Sequence, residues 1–219
     1  MIARLEHSFD RQRRLTADSS HELRTPLTRI KLATSSSLEG EPDVVRYRRA
    51  LEVADTAADA MSRLVQQLLL LARADAGRLD LQFQLLEIAT LVRDSVAAVP
   101  ELDPSRIQLT LPPDGAAVSG DPEMLKRVLA NLLENAVRHT PGDGAIALRA
   151  TVGEQDVTLA VEDSGEGIAP EHLPHLTERF YRVDSARSRA DGGCGLGLAI
   201  TKGIVEAHGG TLAIESEVG

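Results

Sequence analysis

Leu23, Leu27, Ile30 and Thr34 recur at helical spacing, and Ile2, Leu5 and Phe9 precede them at similar intervals. The pattern predicts a long first helix. Ser35-Ser36-Ser37 and Glu39-Gly40-Glu41-Pro42 interrupt it, and Asp43 is placed to cap a second helix. That helix carries Leu51, Ala54, Ala58, Met61, Leu64, Leu68 and Leu71, the last four at heptad steps. Two amphipathic helices of about 30 residues cannot bury both stripes as a lone hairpin, so dimerisation into a four-helix bundle is expected.

From about Leu81 the pattern changes. Residues 87–99 read as a helix, 106–111 as a strand, and Pro112-Pro113-Asp114-Gly115 as a turn. Asp121 caps a helix that starts at Pro122 and runs to about His139. Residues 145–152 and 157–162 alternate apolar and polar positions, as hairpin strands do. Residues 170–190 are irregular and charged. A glycine cluster at 192–197 leads into a helix that ends near His208, and Gly209-Gly210 separates it from a strand at 211–215. The expected fold class is α+β and multidomain: a long helical hairpin over 1–76, dimerising into a four-helix bundle, then an α/β sandwich built on one sheet over 82–219.

Charge supports the division. Residues 1–80 hold 13 basic and 12 acidic side chains, and residues 81–219 hold 11 and 21. The whole chain of 219 residues carries −9, which disfavours general nucleic-acid binding. Hydrophobic residues make up 42%, enough for a core, and aromatics only 2%, so that core is aliphatic. A lone cysteine excludes an intrachain disulfide and a cysteine-cluster zinc site. The longest apolar run, 68–72, is far short of the ~20 residues of a membrane span, and no signal-peptide pattern opens the chain. A soluble chain suited to a reducing compartment is expected.

The chemistry starts at Ser20-His21-Glu22-Leu23-Arg24-Thr25-Pro26-Leu27. On a helix, His21 and Thr25 lie one turn apart on one face, with Glu22 beside them. Pro26 removes a helical N–H, which frees the Glu22 carbonyl and invites a bend. A neutral imidazole can attack through one nitrogen while a carboxylate takes the proton from the other.

This octapeptide resembles the phosphoacceptor box of the sensor histidine kinases of two-component systems. Further boxes of that family follow in order. Residues 131–140, Asn131-Leu132-Leu133-Glu134-Asn135-Ala136-Val137-Arg138-His139-Thr140, resemble its N box. Asp163-Ser164-Gly165-Glu166-Gly167-Ile168 resembles the first glycine box. Glu178-Arg179-Phe180-Tyr181-Arg182-Val183-Asp184 resembles the F box, and Gly193-Cys194-Gly195-Leu196-Gly197-Leu198-Ala199-Ile200 the second glycine box.

Asn131 and Asn135 share one helical face, and amide oxygens suit a hard, partly hydrated Mg²⁺ carried on nucleotide phosphates. The resemblance implies Asn135 as the Mg²⁺ ligand, with Arg138 and His139 approaching phosphate oxygens. In related ATPases such as DNA gyrase, a Glu at the position of Asn131 activates water. An Asn cannot take that proton, which fits a site that spares ATP for transfer to His21. The resemblance also implies that Asp163 accepts from the adenine amine, with Gly165 and Gly167 letting the backbone come close. Gly193, Gly195 and Gly197, with Leu196 before a helix N-terminus, suit an anion cradle, and the resemblance implies that this segment closes over the triphosphate. Arg179, Arg182, Arg187 and Arg189 bring positive charge to this acidic unit, and the resemblance points to Arg182 as a γ-phosphate contact. Phe180 and Tyr181 read as packing anchors.

Three other features read as structural. His172 and His175 form H-x-x-H around Pro174, without a carboxylate at metal-ligand spacing. His208 reads as a helix-end residue, where a cation is favoured. Cys194 stands where family members often carry Ser or Thr and reads as a small residue in a small space.

The implied activity is ATP- and Mg²⁺-dependent autophosphorylation on His21, with Glu22 as general base, then transfer to an aspartate of a response-regulator receiver domain. Glu22 and Thr25 match the family's E-x-x-T phosphatase pattern, in which Thr25 helps orient a water. The implied setting is a cytoplasmic homodimer, the fragment of an inner-membrane sensor, with no nucleic acid and no membrane contact of its own. The family usually continues beyond Glu217-Val218-Gly219 into one more strand. A plain ATPase and an inert nucleotide-binding module are the competing readings. Asn131 and the complete box around His21 argue against the first, and the presence of every chemical residue of the motif against the second.

Overall fold

A computed structural model describes residues 2–39, 43–183 and 194–218, with side chains described from Ala17 onward. The chain forms two compact units, Met1–Leu70 and Leu71–Gly219.

The first unit holds α1 (Ile2–Leu38) and most of α2 (Val44–Asp75). α1 runs without interruption through Pro26. The three serines expected to break it remain helical instead, with the Ser36 and Ser37 hydroxyls donating back to the Ala33 carbonyl and so not competing for the helix's N–H groups. The predicted breaker at Gly40-Glu41-Pro42 lies outside the described residues. Asp43 caps α2: its carboxylate accepts from Val45 N–H at 2.9 Å.

The buried line along α2 keeps Ala54, Met61, Leu64, Leu68 and Leu71 as expected and departs from the expected one at two positions. Ala50, Ala57, Leu64 and Leu71 are buried at intervals of seven, with Ala54, Met61 and Leu68 half-buried between them. Leu51 is 68% exposed, and Ala58 is exposed too. In its N-terminal half the seam therefore runs one residue to the side, through Ala50 and Ala57, whose small side chains permit closer approach of a neighbouring backbone.

The second unit contains β1 (Gln84–Glu87), α3 (Ile88–Ala97), β2 (Ile107–Thr110), β3 (Ala117–Gly120), α4 (Pro122–His139), β4 (Ile146–Val152), β5 (Val157–Asp163) and α5 (Gly197–Ala207). Its strands form two sheets where one was expected. β1 pairs antiparallel with β3, and β2–β4–β5 form the other, with β2 parallel and β5 antiparallel to β4. The expected helix at 87–99 starts after β1, at Ile88. The hairpin alternates as predicted: Ile146, Leu148 and Ala150 point inward, while Arg149 faces out and meets Glu162 at 3.1 Å.

The core is aliphatic. Ile88, Leu91 and Val92 of α3 meet Leu129, Leu133 and Ala136 of α4 over the inner face of β4. α4 begins where predicted, with the Asp121 carboxylate accepting from Met124 N–H at 3.0 Å and from Gln82 N–H at 2.8 Å. His208 ends α5 as a neutral imidazole. Its Nδ1 lies 2.8 Å from the Ile204 carbonyl and must donate; its Nε2 accepts the Asp121 N–H at 3.0 Å. The helix-end position is as expected, and a cation is not, because Nε2 is occupied as an acceptor.

Residues 211–215 do not form the predicted strand. Leu212, Ile214 and Ser216 still alternate inward, but the segment finds no ladder partner among the described residues, and β5 remains an edge strand. Its one side-chain tie is Ser216 Oγ, which accepts from Ile168 N–H at 2.9 Å.

Candidate functional site

The first unit presents His21 on the exposed surface of α1, with Glu22 half-buried beside it and Thr25 exposed one turn later. Since Pro26 has no N–H, the Glu22 carbonyl lacks its usual helical donor. Thr28 returns its hydroxyl to the Arg24 carbonyl at 2.8 Å, and Thr25 is exposed one turn after His21. Leu27, 55% exposed, and Leu32 lie uncovered on the same helix.

In the second unit the predicted residues gather around the C-terminal half of α4. Asn131 Nδ2 donates to the Gly197 carbonyl at 3.3 Å and reaches Thr201 Oγ1 at 3.4 Å. It therefore holds the first turn of α5 against α4. Thr201 is fully buried, and only its place one turn after Gly197 hinted at this role. Asn135, one turn on, is half-buried with no side-chain hydrogen-bond partner among the described residues. Arg138 and His139 are exposed at the helix end. Arg127, one turn before Asn131 on the same face, was not singled out by the sequence. Burial draws its guanidinium below the usual arginine range, and the Glu134 charge works in the opposite direction.

The first glycine box abuts this helix end. Asp163 is exposed, and its carboxylate accepts from Gly165 N–H at 2.9 Å. A Cβ on Gly165 would sit 2.5 Å from the His139 carbonyl oxygen, so Gly165 is needed for close packing on α4. Gly167 has φ +70, and a Cβ there would fall 2.0 Å from the Glu217 carbonyl oxygen. Both glycines thus meet the chain's own backbone. Asp163 lines a cleft of about 440 Å³ together with Arg106, Gln108, Ala147 and Glu162.

The F box and the second glycine box are joined through their backbones. Phe180 N–H donates to the Gly195 carbonyl at 2.9 Å. Gly195 has φ +69, and a Cβ there would lie 2.8 Å from the Phe180 carbonyl carbon. Phe180 itself sits at φ 61, a conformation that bulky residues rarely adopt. Leu196 is fully buried, and Gly197 opens α5. Gly193, Arg187 and Arg189 lie outside the described residues. Tyr181 is the packing anchor expected: its hydroxyl meets His172 Nδ1 at 2.7 Å, and its ring contacts both His172 and His175.

The two described arginines of this segment differ. Arg179 is paired with Asp75. Arg182 has a buried Nη2 with no hydrogen-bond partner among the described residues. A buried guanidinium nitrogen without an acceptor is costly, and a bound anion would satisfy it. Together with the partner-free amide of Asn135, this donor set fits a nucleotide triphosphate carrying Mg²⁺.

Comparison with known proteins agrees with these boxes. Residues 11–77 match the His Kinase A (phospho-acceptor) domain, and residues 120–219 match the histidine kinase-, DNA gyrase B-, and HSP90-like ATPase family. The sensor histidine kinase CusS of Escherichia coli O6:H1 is 40% identical over 224 residues, covering 100% of this chain and 46% of its own length. The chain thus spans about half the length of that curated relative. The solved structure of the Acinetobacter baumannii histidine kinase AdeS is 28% identical with a TM-score of 0.67, covering 85% of this chain and 86% of its own. Full-length ShkA, solved in complex with AMPPNP, is 26% identical with a TM-score of 0.66, covering 94% of this chain and 43% of its own.

Proposed function

The chain belongs to the histidine kinases, and we propose that it moves the γ-phosphoryl group of ATP to a ring nitrogen of His21. The observation that carries this reading is the buried Nη2 of Arg182, without a hydrogen-bond partner among the described residues, beside the backbone lock of Phe180 and Gly195. It supports a site arranged for an anion at the end of the nucleotide nearest the reacting phosphorus.

The transfer forms a nitrogen–phosphorus bond as the bond from the γ-phosphorus to the bridging oxygen breaks, and ADP leaves. His21 is exposed for the attack, and Glu22 takes the proton from the opposite ring nitrogen. Arg182 stabilises charge on the γ-phosphoryl oxygens, Arg138 and His139 neutralise phosphate charge, and Asp163 accepts from the adenine amine. Gly193, Gly195, Leu196 and Gly197 form the cradle at the N-terminus of α5. When bound, Mg²⁺ draws charge off the phosphate oxygens, with Asn135 as its ligand. Asn131, already holding α5, has no carboxylate with which to activate water. AMPPNP in the ShkA complex is consistent with ATP as the donor here.

Residues 1–76 serve as the dimerisation and phosphoacceptor domain, and 82–219 as the catalytic domain. Leu27, Leu32 and Leu51, uncovered in the single chain, fit a homodimeric bundle. The phosphoryl group then passes to an aspartate on a response-regulator receiver domain. Thr25, facing solvent, orients water in the reverse, phosphatase, direction. No described helix is long and apolar enough to cross a membrane. A place on the cytoplasmic side of an inner-membrane sensor follows from the family.

Arg182→Met tests the carrying observation. The expected result is about a tenfold loss of affinity for a non-hydrolysable ATP analogue, with ADP affinity unchanged. Equal loss for both, or for neither, would remove Arg182 from the γ-phosphate.

A further inference from the structure

We propose that Arg106, outside every motif that resembles the family, is a positioning residue that sets the geometry of the adenine end of the nucleotide site; this rests on the nucleotide-binding reading above. Arg106 closes the single 3-10 turn Pro104–Arg106 and is half-buried. Its guanidinium forks onto three backbone carbonyls. Nε donates to Gly144 at 3.2 Å, and Nη2 donates to Thr140 at 3.3 Å and Pro141 at 2.5 Å. Thr140 and Pro141 follow directly on α4, at its electronegative end, and Gly144 lies further along the same loop. One cation therefore gathers the loop that leaves the helix bearing Asn131, Asn135, Arg138 and His139.

The opposite side of that loop rests on the first glycine box. Ser164 Oγ accepts from Ala145 N–H at 2.9 Å, and Ser164 N–H donates to the Ala145 carbonyl at 3.1 Å. Cβ atoms built on Gly144 and Gly165 would lie 2.8 Å from Ser164 Oγ and 2.5 Å from the His139 carbonyl oxygen. Loop 140–145 is thus held between Arg106 and the turn that carries Asp163. If the fork lets go, the spacing between Asp163 and the end of α4 is no longer fixed. The consequence belongs to binding of the nucleotide and not to the transfer step, since no reacting atom is near.

Arg106→Met keeps the chain length and apolar stem and removes all five donors; Arg106→Lys restores one charged donor. ADP affinity is measured calorimetrically on the full chain at a temperature where each variant is folded, so lost stability alone leaves Kd unmoved. The expected result for Arg106→Met is a Kd about tenfold higher, faster amide exchange confined to 140–145, and partial recovery in Arg106→Lys. With ATP, KM rises while kcat at saturation stays within about twofold. Unchanged ADP affinity in Arg106→Met overturns the inference, as does a fall in kcat with KM unmoved. No ADP binding by the unsubstituted chain overturns the nucleotide reading and this inference with it.

Discussion

Arg179 donates to the carboxylate of Asp75, 104 residues away at the end of α2. The pair ties the F-box segment to the last turn of α2 within the second unit, where a Cβ on Gly203 would also meet Ala74 at 3.1 Å. Arg179 and Arg182, three residues apart in one basic segment, therefore have separate tasks. Arg179 is engaged by a carboxylate, and Arg182 is left with a donor that lacks an acceptor. Arg179→Ala should leave ATP affinity within about threefold of the starting value while weakening the attachment of residues 71–75 by roughly 0.5–1 kcal/mol. A double-mutant cycle with Asp75→Ala, read by amide exchange in that turn, measures the coupling. Additive effects would show that the pair contributes nothing.

Gly195 and Gly197 differ in what an added side chain would meet. Gly195→Ala puts a Cβ at φ +69 and within 3 Å of the Phe180 backbone. It should cost at least the roughly 1–2 kcal/mol of a left-handed residue, visible as a lower melting temperature without nucleotide. At Gly197 a Cβ meets only Asn131 Cγ, at 4.0 Å. Gly197→Ala should melt within about 0.5 kcal/mol of the starting protein yet bind ATP several-fold more weakly, as the proposed phosphate cradle at the helix N-terminus requires.

Asp121 ties the stability of the second unit to pH. Burial pushes its carboxyl up, but N–H donation from Gln82, Met124 and Glu123 outweighs this and holds it below the usual carboxylate value. A carboxyl depressed in the folded state adds stability above its unfolded value, about 3.9, and that stability is lost as pH falls through the folded value. Asp121→Asn should therefore flatten the acid limb of a stability–pH profile below about pH 4. Asp121→Ala should cost about 0.5–2 kcal/mol at pH 7 through the lost cap. A profile unchanged in shape by Asp121→Asn would contradict this.

His208→Phe keeps the ring that lies 5.2 Å from Phe83 and removes the acceptor for Asp121 N–H. A buried donor left unpaired costs about 1–3 kcal/mol, so denaturant melts should shift by that amount. A neutral result would mean that water replaces the imidazole.

What the sequence revealed depended on the range of the interactions. α4 was legible from end to end because Asp121, Pro122 and the apolar period are local signals. The hairpin of β4 and β5 was legible for the same reason. β1 and β3 were not: each has four residues, and their pairing, Leu85 with Ser119, joins segments more than thirty residues apart. On α2, Leu51 outweighed its neighbour Ala50 by hydrophobicity alone, yet the seam follows the smaller residue. In the site, the identities of Asn131, Asp163 and the glycines could be read from their boxes. What they touch could not, because Asn131 with Gly197, Gly165 with His139 and Arg106 with Pro141 are contacts of tertiary packing. Residues 211–215 carry the right alternation, but a strand also needs a partner, which alternation does not supply.

The central claim is that His21 receives the γ-phosphoryl group. The most direct measurement is incubation of the chain with γ-labelled ATP and Mg²⁺ beside His21→Gln, with the labelled protein then exposed to acid and to base. Label on the unsubstituted chain that is lost in acid and kept in base, with none on His21→Gln, is the expected result. Equal labelling of both chains, or steady phosphate release with no labelled protein, would contradict it.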